Sequence, residues 1–330
     1  MLLKRSDHQI SVSSQSVREM DLASLRVIEL PLRSNFRGVT KREIALFQGV
    51  NGWAEFSPFL EYSDLECKPW LESAIEAATT NFPIRRELIA VNGTIPETDN
   101  EQEIEELVAA YPGVKTFKIK VGSDLMSDLN RIKRVKNLAP AASIRIDVNG
   151  EWNVAEAIDH IKAIEEVTEI EYVEQPVANI TEMRELKRKL TVKIAADEAL
   201  RKSNDPLKVD LTGAADLLVL KVAPLGGIKK SLAIAAHHKL PVVVSSALES
   251  AIGITHGLRL AAALPEISYA SGLATGSLFA EDLARHEIRD GAIRVAKPEI
   301  DEARLSRFAV PQERLEWWRE RINRVLEASR

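Results

Sequence analysis

Cysteine is nearly absent. Cys67 stands alone among 330 residues, which rules out an intramolecular disulfide and fits a reducing compartment. Basic charge is not in excess either. The formal net charge of −5 lacks the cationic bias of a nucleic-acid or membrane-surface protein. An acidic total still permits an anionic substrate, because charge at a site can oppose the global sign. No apolar run reaches the length of a membrane span, and none in the first 20 residues has signal-peptide length. The six histidines show no metal-ligand spacing, and His237-His238 is expected on the surface at a helix end. No G-x-S-x-G and no phosphate-binding glycine loop occurs. These absences leave a cytoplasmic protein whose partner is a small molecule, with neither nucleic acid nor membrane involved. An apolar content of 45% supplies a large core.

Hydropathy divides the chain into three regions after a serine-rich leader over 1–23, expected to be flexible. Residues 24–87 open with SLRVIELPL, REIALFQGV and GWAEFSPF, rich in β-formers, with turns at RSNFRGVT and Asn51-Gly52. A helix through LECKPWLESAIEAATT follows, with Asp64 as the expected N-cap. Over 88–281 short apolar strands alternate with amphipathic helices: LIAVNGT, TFKIKVG, SIRIDVN, EIEYVEQP, VKIAADE, ADLLVLKVA, PVVVSSA and ISYASGL. Eight such units predict an α/β fold, a (β/α)8-type barrel. A doubly wound open sheet is the alternative, disfavoured by the missing dinucleotide turn. Over 282–330 the rhythm stops. A short hairpin in HEIRDGAIRV and a final helix in ERLEWWRERINRVLEA are expected to pack on the N-terminal meander, giving an α+β capping domain.

Functional groups of such barrels sit at the C-terminal ends of strands. Five successive strands end in charge here: Lys118 and Lys120, then Asp147 with Asn149, Glu174, Asp197 with Glu198, and Lys221. Asp147, Glu174 and Asp197 would converge and repel one another, a conflict that a hard divalent cation resolves. All-oxygen ligands point to Mg2+, with Mn2+ possible, rather than Zn2+. The plainer reading makes each acid an ordinary strand-end residue or helix cap. Lys118 and Lys120 share one face of a strand. Two ammonium groups in a small volume should lower the pKa of Lys120 toward the working pH and make it a general base, with Lys221 facing it across the mouth. Otherwise these lysines snorkel to solvent. Weaker substrate contacts are Thr94, Gly227, Ser245, Ser246, Ser271 and Gly272. The Gly226-Gly227 pair offers backbone N–H groups to an anion or forms a simple turn, and the serines bind a carboxylate or fill a polar rim.

With TFKIKVG, RIDVNGEW, YVEQP, AADEAL and LVLKVAPLGGI in place, the chain resembles the enolase superfamily in its muconate-lactonising branch. NFRGVTKRE, WAEFSPFLEY, VNGTIP and SSALESAIGI narrow the resemblance to the o-succinylbenzoate synthases of actinobacterial type. The resemblance runs from about residue 24 over most of the chain. It implies dehydration of a dicarboxylate, 2-succinyl-6-hydroxy-2,4-cyclohexadiene-1-carboxylate, to 2-succinylbenzoate in menaquinone biosynthesis. It implies that Asp147, Glu174 and Asp197 bind the metal. Lys120 removes the α-proton and then protonates the departing hydroxide, and the metal and Lys221 stabilise the enediolate. Lys118, Asn149 and Glu198 orient these groups. The loop RSNFRGVT would cover the substrate, with Arg37 either meeting a carboxylate or exposed. The rivals are an N-succinylamino acid racemase, a dipeptide epimerase and a non-catalytic barrel scaffold. Ser271-Gly272-Leu273 stands where dipeptide epimerases carry Asp-x-Asp.

Overall fold

The computed structural model describes residues 21–36, 38–122 and 124–328. Residues 1–20 of the expected leader, and Arg37, lie outside the described residues. The described chain opens with an antiparallel meander in which β1 (Asp21–Phe36) pairs with β2 (Val39–Gly49), and β2 with β3 (Gly52–Phe56). At the β2–β3 turn Gly52 has φ of +98°, a conformation that costs glycine little and other residues much. Alternation along these strands puts Leu25, Val27, Ala45, Phe47, Ala54 and Phe56 in one core with α1 (Asp64–Thr79). The helix cap falls one residue earlier than expected. Ser63 is the N-cap because its hydroxyl and Glu66 satisfy each other's backbone N–H groups in a capping box, so Asp64 is already helical.

β4 (Leu88–Ala90) leads into the barrel. Its strands are β5 (Gly93–Ile95), β6 (Thr116–Lys120), β7 (Ser143–Asp147), β8 (Ile170–Glu174), β9 (Ile194–Ala196), β10 (Leu217–Lys221) and β11 (Val242–Ser245). Between and after them run α2 (Glu101–Ala109), α3 (Leu125–Leu138), α4 (Val154–Glu165), α5 (Ile180–Lys187), α6 (Glu198–Arg201), α7 (Ile228–His238) and α8 (Ala251–Ala263). The strands are parallel and neighbour one another in chain order. Period-two alternation sends Ile119, Ile144, Ile146, Val173, Leu218 and Leu220 outward into the core shared with the helices. The alternate set, including Tyr172, Leu217, Val219 and Val243, fills the barrel interior.

The expected eighth strand contracts to two residues. Ser271 bridges Val91 and Gly272 bridges Ser245, with Ser271 N donating to Ala90 O at 2.8 Å and Gly272 N to Val244 O at 2.8 Å. Preceding residues leave the strand path, and Tyr269 stacks edge-on against Tyr172 with centroids 6.0 Å apart. A Cβ at 272 would stand 2.6 Å from Ser245 Oγ, so any larger residue there would displace that hydroxyl. The expected first strand is split: β5 joins the barrel, while β4 pairs with β13 (Ala292–Arg294) of a hairpin begun by β12 (Ile288–Arg289).

The tail continues through α9 (Glu302–Arg307) to α10 (Gln312–Glu327). Val310 N donates to Val27 O, and Glu29 N to Phe308 O, which fastens the tail to β1. Trp318 of α10 meets Phe56 edge-on at 5.9 Å and donates its indole N–H to Glu43 at 2.7 Å. Both ends of the described chain therefore build the α+β capping domain of a (β/α)8-type barrel. No helix among the described residues is long and apolar enough to cross a membrane.

Candidate active site

The alternation that packs Tyr172 and Leu217 inside also turns the strand-end polar groups inward. Lys120 lies beside Asp147 in the β6–β7 register, and Asp147 beside Glu174 in the β7–β8 register. Asp147, Glu174 and Asp197 have no solvent exposure. Lysines interleave with them. Lys118 Nζ donates to Asp147 Oδ2 at 2.9 Å and to both Glu174 oxygens at 3.0 Å. Lys120 Nζ donates to Asp147 Oδ2 at 2.6 Å and Asn149 Oδ1 at 2.7 Å, and Lys221 Nζ to Asp197 Oδ2 at 2.5 Å. All three lysines face one cleft, shared with Phe36, Phe59, Thr94, Ser245 and Ser246. The Phe36 ring, from the end of β1, lies 5.8 Å from Lys120 Nζ.

Burial and charge pull these groups apart electrostatically. Burial raises the Asp147 carboxyl, but Lys118, Lys120 and Lys221 outweigh it and hold it well below the usual range. Burial opposes ionisation of Asp197 too, and Lys221 with Arg201 overrides it, so its carboxyl lies far below its ordinary value. Glu174 goes the other way. Burial and the neighbouring Asp147 push it up to about 7, more than Lys118 can reverse. Lys118 would be lowered by burial, yet Asp147 and Glu174 hold it above the ordinary lysine range.

The donor set suits a hard divalent cation by its chemistry: three buried carboxylates, oxygen ligands only. In the present arrangement ammonium groups stand among the acids. Among the described residues no three His, Cys, Asp or Glu side chains converge on one point as they would around an ion.

The family model described as "Enolase C-terminal domain-like" matches residues 101–300, and "Enolase N-terminal domain-like" matches 27–78. The o-succinylbenzoate synthase of Mycobacterium tuberculosis is 47% identical over 306 residues, covering 91% of this chain and 93% of that one. The o-succinylbenzoate synthase of Mycobacterium ulcerans matches with the same identity and coverage. This chain belongs to the o-succinylbenzoate synthase family of the enolase superfamily. Solved structures share the fold. Muconate lactonizing enzyme from Pseudomonas fluorescens has a TM-score of 0.74 at 21% identity, covering 87% of this chain and 98% of that one. N-succinyl Arg/Lys racemase from Bacillus cereus has a TM-score of 0.73 at 22% identity, covering 87% and 97%.

Against this o-succinylbenzoate synthase family background the sequence-predicted residues fall into two groups. Lys118, Lys120, Asp147, Asn149, Glu174, Asp197, Glu198 and Lys221 form one hydrogen-bonded cluster, and Thr94, Ser245 and Ser246 line the cleft beside it. Ser246 Oγ is bonded to Thr275 Oγ1 at 2.7 Å and Gly272 O at 3.0 Å. Ser271 is buried at the barrel seam. Gly227 is the exception. The helix N-terminus it opens already holds an anion, the Glu76 carboxylate of α1, which accepts from Ile228 N at 2.5 Å and Lys229 N at 3.1 Å. The cradle is a cap-to-barrel contact, filled by a side chain distant in sequence.

Two residues escaped the sequence reading. Gln175 holds φ of +40°, and its amide oxygen accepts from Asp197 N and Ala199 N, both at 3.1 Å, fixing the turn that presents Asp197. Its signal was the EQP step after the fourth strand. Arg201 binds Asp197 and Glu198 together. Only its position four residues after Asp197, one helical turn along, could have revealed it.

Proposed function

We infer that this chain catalyses the dehydration of 2-succinyl-6-hydroxy-2,4-cyclohexadiene-1-carboxylate to 2-succinylbenzoate, the menaquinone-pathway reaction of its family. The observation that carries the reading is the convergence of Lys120 and Lys221 on one cleft beside three buried carboxylates, in a chain 47% identical to o-succinylbenzoate synthases. Asp147, Glu174 and Asp197 would hold Mg2+, or Mn2+, which when bound stabilises negative charge on the substrate carboxylate. Lys120 takes the proton α to that carboxylate and returns it to the departing hydroxide, releasing water as the ring becomes aromatic. Lys221 lends positive charge from the other side of the cleft. Lys118 stays protonated between Asp147 and Glu174 and keeps those acids apart. Phe36 and Phe59 give the ring an apolar wall. In this reading residues 88–281 do the chemistry, 24–87 with 282–330 close the mouth, and the enzyme works in the cytoplasm.

The test is direct: protein, Mg2+ and the cyclohexadiene substrate, with the ultraviolet band of the diene followed over time. Its persistence at micromolar protein would sink the reading. A second reading, racemisation of an N-succinylamino acid, rests on the presence of lysines at both sides of one cleft. Polarimetry on an N-succinyl amino acid decides it. The dipeptide epimerase reading loses support from Ser271-Gly272-Leu273, which places no acid at the barrel seam.

A further inference from the structure

We propose that Arg201 is a positioning residue that couples the two lysines, by clamping Asp197 and Glu198 into a single hydrogen-bonded chain running from Lys221 to Lys120. Every link is in place. Lys221 Nζ donates to Asp197 Oδ2 at 2.5 Å, and Arg201 Nε to Asp197 Oδ1 at 2.9 Å. Arg201 Nη2 donates to Glu198 Oε1 at 2.7 Å, and Asn149 Nδ2 donates to the same oxygen at 3.2 Å. Asn149 Oδ1 then accepts from Lys120 Nζ at 2.7 Å.

The direction of the chain matters. An amide has one donor end and one acceptor end. With its Nδ2 aimed at an anion, Asn149 must present Oδ1 to Lys120. Arg201 keeps Glu198 in the place that imposes this orientation. A guanidinium can do so because its fork serves two acceptors in fixed geometry, whereas an ammonium is a point charge on a flexible stem. The arginine is itself held. Its side chain is 8% exposed, and α6, which carries it, is anchored where Gln175 caps Asp197 and Ala199. Asn149 and Gln175, both at positive φ, stand at the ends of adjacent strands, so two turns around this chain adopt conformations that non-glycine residues rarely hold.

The inference rests on the reading that Lys120 and Lys221 act on the substrate, and two readouts separate the fates of the two. In the synthase assay Arg201→Met should lower kcat about 30-fold with KM within about threefold, and millimolar guanidinium ion should recover about fivefold of the loss. A kcat within about threefold of wild type, or a loss that guanidinium does not relieve, overturns the coupling. Arg201→Lys keeps charge and bulk, is read the same way and replaces the methionine variant if that one does not fold. Acetylation rates of individual lysines, followed by mass spectrometry, need no turnover. Loss of Arg201 should change the rate at Lys120, which it does not touch, by about fivefold and leave exposed Lys193 unmoved. An unchanged Lys120 rate also overturns the coupling. Absence of wild-type turnover would sink the lysine roles instead, and the acetylation result alone would then decide for or against the chain.

Discussion

Glu55 and Ser250 share a 2.5 Å hydrogen bond across the junction between capping sheet and barrel. Glu55 is the penultimate residue of β3, and Ser250 is the N-cap of α8. The same carboxylate accepts from Gly253 N at 2.9 Å, Ser250 N at 3.2 Å and Ser57 Oγ at 2.6 Å. An acid of the cap thus closes a helix N-terminus of the barrel, where backbone donors and the helix dipole favour negative charge. Glu76 does the same at α7. The residues leading into α8 include Ser246, Ala247 and Leu248, which line the lysine cleft. Cap and mouth are therefore one mechanical unit.

Replacing Glu55 with Ala leaves the buried Ser250 hydroxyl and the half-buried Gly253 N–H without their acceptor. The expected loss is about 2–4 kcal/mol, read from urea unfolding, with a smaller loss for Glu55→Gln. An alanine variant as stable as wild type would show that the junction does not depend on this acid.

Glu249 supplies a pH signature. It is 3% exposed, and its Oε1 finds no hydrogen-bond partner among the described residues. Burial, then repulsion from Glu55, pushes it up to about 7 from an ordinary 4.5, with Arg42 opposing. The fold therefore prefers the protonated form. That preference contributes stability below pH 4.5 and is lost as pH rises through about 7. Melting should fall between pH 5 and pH 8, and Glu249→Gln, the neutral isostere, should flatten the fall by on the order of 2–3 kcal/mol. Parallel curves for variant and wild type would remove Glu249 from the account.

For the chemistry, Lys120→Ala and Lys221→Ala should each lower kcat by about 10²–10⁴-fold while both proteins remain folded by circular dichroism. Near-wild-type turnover in either one would end its assigned role.

The cation prediction concerns stability as well as rate. Mg2+ at about 100 times its dissociation constant should stabilise the protein by about 2.7 kcal/mol, and a chelator should reverse both this and the activity. Glu174→Gln should lose the shift, because it removes the charge that the cation would permit. A Glu174→Gln protein that still gains stability with Mg2+ would exclude Glu174 as a ligand.

Much of the site was legible because strand alternation and barrel topology are simple rules. Two lysines two apart must share a face, and the acids of β7, β8 and β9 must end at one rim. Side chains that arrive from elsewhere in the chain obey no such rule. Glu76 at the Gly227 cradle comes from 151 positions earlier, so nothing local could mark the N-terminus of α7 as already filled. Lys118 likewise draws its partners from outside its own strand: the Asp147 and Glu174 carboxylates that raise it lie one and two strands away. The eighth strand was overread for a second reason: ISYASGL alternates well enough for a full strand, yet Tyr269 gains more by turning in toward Tyr172 and the Arg145 guanidinium, 5.7 Å from its ring.

The contracted eighth strand has a consequence for how the ring holds its shape. Seven staves carry continuous ladders, and the circle is completed by Ser271 and Gly272 with a handful of backbone bonds. With one bridge to each neighbour, the clasp is joined more narrowly than any pair of the seven staves. Deuterium should enter the amides of Ser271, Gly272 and Asn92 well before those of Ile146 or Val219. The clasp also sits against Ser245 and Ser246, on the wall of the lysine cleft. Small adjustments in the width of the mouth thus have one natural place to occur, on the side facing away from the carboxylates.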